Sequence, residues 1–195
     1  LLPVLSNQIK KNKTKEANNS ISLAIKFGII FSVPAFVGLF ILSDEIISFL
    51  FYRGAFELSD VGLTSSALVA LCFGLPAFIM IKILVVPFFA NEDTKTPIKV
   101  SIFCMAINLI LNLILIKEFL HVGLAISTSI SAWINAIILG YILKKGLKFS
   151  FNRSIFSVLI KVTISSLFMG YAILGLIDMS IMNFTEHRFF DKNLK

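Results

Sequence analysis

Lys82 stands inside an apolar run from about Gly62 to Ala90, eight residues before its end. On a helix of 1.5 Å rise that is about 12 Å of hydrocarbon depth. A lone ammonium there is costly, so it faces a water-filled cavity or a partner, or its stem snorkels back to the polar interface. The chemistry open to such a group is electrostatic, the holding of an anion. Asn108 and Asn112, one helical turn apart in another apolar run, share a face. Gly123, Ser127, Ser131 and Asn135 repeat at i+4 steps in the next run. Small and amide side chains at that spacing suit close helix packing with an interhelical hydrogen bond, and otherwise line a polar cavity.

Groups that make or break bonds are not assembled. His121 lies at the end of an apolar run and His187 in a mixed tail, neither with Cys, Asp or Glu at ligand spacing. Cys72 and Cys104 fall within apolar runs and read as small hydrophobes rather than a disulfide or metal pair. Neither a phosphate-cradling Gly loop nor a G-x-S-x-G motif occurs. The reading is therefore no enzyme, no cofactor and no metal. Pro34, Pro76 and Pro87 each remove a backbone hydrogen bond inside an apolar run, predicting helix kinks. Pro76 precedes Lys82 by six residues, so a bend and a cation share one helix.

The elements that position these groups follow from composition. Of 195 residues, 57% are hydrophobic and 15% charged, and the mean hydropathy is +0.91. Soluble domains run near 45–50% apolar and about 25% charged. This is more apolar surface than one core could bury, and it excludes a disordered tail, a disulfide scaffold and an ordinary soluble enzyme. Five runs are long enough to cross a bilayer as helices: about 21–42, 62–90, 98–116, 122–143 and 154–177. Glu45 to Phe51 is too short to cross and reads as a surface or re-entrant turn before Arg53-Gly54. Residues 1–20 read as the end of a preceding span with a basic loop, and 178–195 as a polar, unstructured or interfacial tail. The start at Leu1-Leu2-Pro3, without Met or a signal peptide, suggests a piece of a longer protein.

Loop charges account for the net +7. Lys10, Lys11, Lys13, Lys15, Lys95, Lys99, Lys144, Lys145, Lys148 and Arg153 fall in alternate connections. The intervening ones hold only Arg53, Lys117, Arg188, Lys192 and Lys195. The positive-inside rule then predicts a cytoplasmic N-terminus and a C-terminus outside. The cations therefore set orientation. Nucleic acid is not a partner, since no clustered basic face with groove-reading or stacking partners appears. Lys26 and Lys161, near the basic ends of their runs, read as snorkelling side chains.

The stretch Lys82-Ile83-Leu84-Val85-Val86-Pro87-Phe88-Phe89-Ala90-Asn91-Glu92-Asp93-Thr94-Lys95-Thr96-Pro97-Ile98-Lys99 resembles a signature of the MurJ (MviN) lipid II flippases. These belong to the multidrug/oligosaccharidyl-lipid/polysaccharide exporter superfamily. Leu1 to Ser6, Pro34 to Leu42, Phe51 to Phe56, Gly74-Leu75-Pro76 and His121 to Ser129 are similar to further family segments in the same order, with Phe89 where Tyr is common. The resemblance implies an all-α integral membrane fold of fourteen helices in two lobes, of which these five would be spans nine to thirteen. That numbering gives the topology obtained from charge alone.

It also implies transport of lipid II, the lipid-linked peptidoglycan precursor, across the bacterial inner membrane by alternating access. The substrate would be lipid II, with membrane lipids as surroundings and a first lobe in the same or a separate chain. By itself the chain would be inactive. Lys82, with Asn108 and Asn112, would belong to the cavity; Arg53, Asp93 and Lys99 would brace loops or simply mark membrane borders. The alternatives are a drug or polysaccharide exporter of the same superfamily, or a non-transporting remnant or membrane partner subunit.

Overall fold

In a bilayer a chain finds no water to satisfy its backbone, so apolar runs of this length fold as helices whose N–H and C=O groups bond internally. The computed structural model describes residues 1–11, 13–54, 56–146 and 153–192. Among them every regular element is a helix: α1 (Leu2–Lys10), α2 (Thr14–Ile41), α3 (Ser43–Phe51), α4 (Leu58–Ala90), α5 (Lys95–Gly146) and α6 (Arg153–Lys192). The segments Thr14–Ile41, Leu58–Ala90, Lys95–Gly146 and Ser154–Ile177 are long and apolar enough to cross a membrane.

α5 has 52 residues, about 78 Å of helix against a hydrocarbon core of about 30 Å. It is not one rod. Leu120 takes φ 50° and ψ −130°, and the chain reverses there into two arms, 95–119 and 121–146. Asn112 meets Ser127, and Asn108 lies 3.5 Å from Thr128, contacts that only an antiparallel pair can make. The apolar runs 98–116 and 122–143 lie on these arms. A Cβ on Gly123 would sit 2.5 Å from the Leu115 carbonyl oxygen, so only glycine lets the arms approach this closely beside the turn.

Two segments differ from the sequence reading. The stretch from Glu45 to Phe51 is not a turn but most of α3, a nine-residue helix. The residues from 178 onward, read as an unstructured or interfacial tail, are helical and continue α6 to Lys192, which removes the unstructured alternative; residues 193–195 lie outside those described.

The α4–α5 connection is tightly specified. Glu92 has φ 62°, the left-handed position just past the last turn of α4. The Glu92 N–H donates to the Phe89 carbonyl and the Asp93 N–H to the Phe88 carbonyl, each at 3.0 Å. This double closure is a Schellman motif. Asp93 then accepts from the Thr96 N–H at 3.0 Å, satisfying an orphan donor at the start of α5.

Helix α4 is the hub. α1, α2, α3 and α5 all pack on it, whereas among the described residues α6 approaches only α2. Leu5, Ile25, Leu139 and Leu143 are fully buried at the centre of the main apolar cluster. Ile102, Met105, Leu113, Phe168 and Tyr171 point outward, the surface a bilayer-embedded bundle presents to hydrocarbon.

Candidate functional site

The buried polar groups of the second α5 arm, Ser127, Ser129, Ser131 and Asn135, fall on two faces of it. One face meets the first arm. There the Ser127 hydroxyl donates to Asn112 Oδ1, the Asn112 amide donates to Asn108 Oδ1 at 3.0 Å, and the Asn108 amide lies 3.5 Å from Thr128 Oγ1. Ser127 is fully buried and Asn135 is 9% exposed. Asn135 Oδ1 has no partner among the described residues. Of the i+4 row, Gly123 and Ser127 meet the first arm, and the interhelical hydrogen bond expected of Asn135 is made by Ser127 instead, which joins Asn112 and through it Asn108.

The other face meets α4. Ser129 Oγ donates to the Ala70 carbonyl at 2.5 Å, and the Trp133 indole N–H donates to the Phe73 carbonyl at 3.0 Å. Both carbonyls lie on the turns ahead of Pro76. The carbonyl that Pro76 deprives of its helical donor is that of Cys72, between these two. Ala77, Ala132 and Ala136 pack together just beyond. Further on, the Asn91 amide donates to the Pro87 carbonyl at 3.0 Å. Pro34 sits within α2. All three prolines lie inside continuous helices.

Lys82 is on neither of these faces. Its side chain is exposed, off the bundle, and has no ion-pair partner among the described residues. On α4 it shares its stripe with the exposed Leu71 and Phe89. It is therefore not joined to Asn108 and Asn112. Lys26 is half-buried and Lys161 exposed.

The loop candidates separate. Asp93 and Lys99 lie together at the α4–α5 connection. Hydrogen bonds from the Thr96 side chain and backbone N–H, then the Lys95 N–H and the Lys99 charge, hold the Asp93 carboxyl below the usual carboxylate range, partly offset by desolvation. Arg53 is exposed at the other end of α4, about 50 Å along 33 residues. It lines an open hollow of about 610 Å³ with Tyr52, Phe56 and Glu57, beside Gly54 at φ 67°.

Cys72 and Cys104 are buried and free. His121, at the α5 turn, donates from Nε2 to the Leu63 carbonyl at 3.2 Å, tying the turn to α4. The side chain of His187 lies outside the described residues. Among the described residues no three His, Cys, Asp or Glu side chains gather to hold a metal.

Sequence reasoning missed Ser129, Trp133 and Leu120. Ser129 had a signal, since Ala125, Ser129, Ala132 and Ala136 form a second row of small residues at helical spacing. Trp133 had only its indole N–H, which needs a partner when buried. Leu120 had none, because leucine rarely takes positive φ.

Long apolar helices, lipid-facing hydrophobic side chains and an internal polar seam define a multi-pass helical membrane protein. Residues 1–193 match the family model described as Lipid II flippase MurJ. The chain belongs to that family, and with it to the inner membrane. It is 43% identical over 135 residues to a protein of Rickettsia prowazekii named "Probable lipid II flippase MurJ", covering 69% of this chain and 27% of that one. A protein of the same name from Rhizobium tropici is 38% identical over 137 residues, 70% of this chain and 26% of the relative. One from Buchnera aphidicola subsp. Schizaphis graminum is 33% identical over 196 residues, covering 100% of this chain and 38% of the relative. The chain thus spans about a quarter to two fifths of the length of these relatives.

Proposed function

We propose that this chain is part of a lipid II flippase that carries the lipid-linked peptidoglycan precursor across the inner membrane by alternating access. The observation that carries the reading is the family match over residues 1–193. The five apolar arms correspond to spans nine to thirteen of a fourteen-helix, two-lobe fold, working with a first lobe supplied by the same or another chain. The protein moves its substrate without converting it.

A pyrophosphate-bearing saccharide-peptide head needs a hydrated, cationic passage, while its hydrocarbon tail can stay in lipid. Lys82 is the cation this part contributes. Its outward, unpaired position on α4 suits a residue that faces a cavity completed by another lobe, where a desolvated charge finds an anionic partner. Asn108 and Asn112 border the same passage through the α5 hairpin. The end of the bundle carrying Lys10, Lys11, Lys13, Lys15, Lys95, Lys99, Lys144 and Lys145 faces the cytoplasm. Asp93 and Lys99 brace the cytoplasmic α4–α5 connection and Arg53 the opposite turn. Pro34, Pro76 and Pro87 supply the flexure that rocking of one lobe requires.

A chimera tests this. Residues 1–193 replace the matching segment of the Schizaphis graminum Buchnera relative, and the product is expressed in a flippase-depleted bacterium that the unmodified relative rescues. Restored growth is expected. Lysis with the chimera inserted at normal level would refute the proposal.

A further inference from the structure

The prolines of α2 and α4 lie at one level of the bundle. The Phe36 and Phe73 rings sit 6.0 Å apart, and Gly28 packs against Ile79 and Ile83. These contacts set an antiparallel register that places Pro34 opposite Leu75, within about 1.5 Å of the level of Pro76. On the second α5 arm, parallel to α4, the Ser129–Ala70 and Trp133–Phe73 bonds put Asn135 at the same level. Pro34 and Pro76 each leave their helix short of one backbone hydrogen bond. Ser32 Oγ and Asn135 Oδ1, buried and without a partner among the described residues, lie within a turn of this level. Folded proteins rarely leave such atoms unpaired. Three helices thus carry their weak points at one depth.

Packing changes across that depth. Every α2 residue of the main apolar cluster precedes Pro34, and every α4 residue of it follows Pro76. On the second arm, all of them follow Trp133. The lysine-rich end is therefore one close-packed body. Beyond the level, the end carrying the Leu120 turn consists of two leaves. In one, α6 lies so tight on α2 that a Cβ on Gly170 would meet Val37 and Ile41. In the other, His121, Ser129 and Trp133 bond the α5 hairpin to the Leu63, Ala70 and Phe73 carbonyls of α4. Among the described residues α2 and α5 do not meet. An apolar hollow of about 330 Å³ separates Phe36 and Phe40 of the first leaf from Ile126 and Ile130 of the second.

We infer that Pro34 and Pro76 form one hinge, about which the α2–α6 leaf and the α4–α5 leaf swing to open and close this hollow while the lysine-rich end stays packed. The hydrogen bonds that tie α4 to α5 lie within one leaf, so the swing leaves them intact. Between the leaves run the Phe36–Phe73 ring contact, which can slide, and the link through α3. From Pro76 to Val69, on the floor of the hollow, is about 10 Å of helix. A change of about 20° in the kink moves that point by about 3–4 Å. The hinge goes beyond the flexure proposed above by naming the bodies that move and the gap between them. It is read as a distance rather than as transport, so it and the flippase reading can fail separately.

Spin labels at exposed positions test it. The protein, with the buried Cys72 and Cys104 replaced by alanine, is reconstituted into vesicles. One label pair, Leu113→Cys with Tyr171→Cys, spans the two leaves near the Leu120 turn. A second pair, Ile98→Cys with Phe156→Cys, spans the same two helices at the lysine-rich end. Distances are measured by double electron–electron resonance. The spread for the first pair is expected to exceed that for the second by about 3–4 Å. Pro34→Ala together with Pro76→Ala, which restores both helical bonds, should bring the two spreads level. Equal spreads with both prolines in place would overturn the inference, and that comparison needs no proline variant to fold. A wider first spread that the double alanine variant leaves unchanged would overturn it as well.

Discussion

Trp133 donates its indole N–H to the Phe73 carbonyl, 3.0 Å away on the turn just ahead of Pro76. With Ser129 on Ala70, it secures the turns of α4 ahead of Pro76 to the α5 hairpin. Pro76 follows three residues after Phe73 and stands six residues before Lys82.

Trp133→Phe keeps most of the ring and removes the donor. Interhelical hydrogen bonds in membrane proteins average about 0.6 kcal/mol and reach about 1.7, and here the acceptor lies beside a proline. A loss of about 1 kcal/mol is expected in unfolding from mixed micelles, with unchanged helix content. An unaltered unfolding midpoint would show that the Phe73 carbonyl finds another donor.

The α5 turn yields two changes of opposite sign. Leu120 at φ 50° occupies backbone space that costs a side-chain-bearing residue about 1–2 kcal/mol, so Leu120→Gly should stabilise the hairpin by about 1 kcal/mol. Gly123→Ala should destabilise it by more than about 1 kcal/mol, because its Cβ would lie 2.5 Å from the Leu115 carbonyl oxygen. Unfolding titrations of both variants check the pair, and equal shifts of one sign would contradict the turn geometry.

Asp93 gives the connection a pH dependence. Its carboxyl is held below the usual range chiefly by the Thr96 side chain and N–H, so it binds a proton more weakly folded than unfolded. The stabilisation is complete above the unfolded value of about 3.9. It disappears as pH falls through the lower folded value. Asp93→Asn should therefore be less stable than the parent at pH 6, with the gap closing below about pH 4. A gap that is constant with pH would exclude this role.

Lys82→Ala bears on transport and not on folding, because the side chain is exposed and unpaired among the described residues. In the chimera, the variant should insert at normal level yet lose roughly tenfold or more of its translocation rate, about 1.4 kcal/mol. Lys82→Arg, which keeps the charge, should retain much of it. An alanine variant as active as the parent would remove Lys82 from the passage.

The parts of this fold legible from sequence are those governed by composition and period. Uninterrupted apolarity marks the spanning arms because lipid leaves the backbone no alternative to helix. The i+4 row from Gly123 to Asn135 marks a packed face because helical geometry stacks those residues. The reversal between the runs 98–116 and 122–143 was legible in the same way, but not its placement at Leu120, where no glycine marks the turn. The pairing of Trp133 with Phe73 depends on residues sixty apart, which no local pattern encodes. Lys82 was legible as an anomaly, but its separation from Asn108 and Asn112 was not, because helix rotation about α4 is set by packing.

Translocation itself is the most direct test. Labelled lipid II is placed in vesicles containing the chimera of residues 1–193 with its relative, and arrival of head groups on the far side is read by their accessibility to an impermeant reagent. Movement well above protein-free vesicles, and reduced by Lys82→Ala, is predicted. Lipid II that stays on its original side, in vesicles where the unmodified relative moves it, would contradict the account.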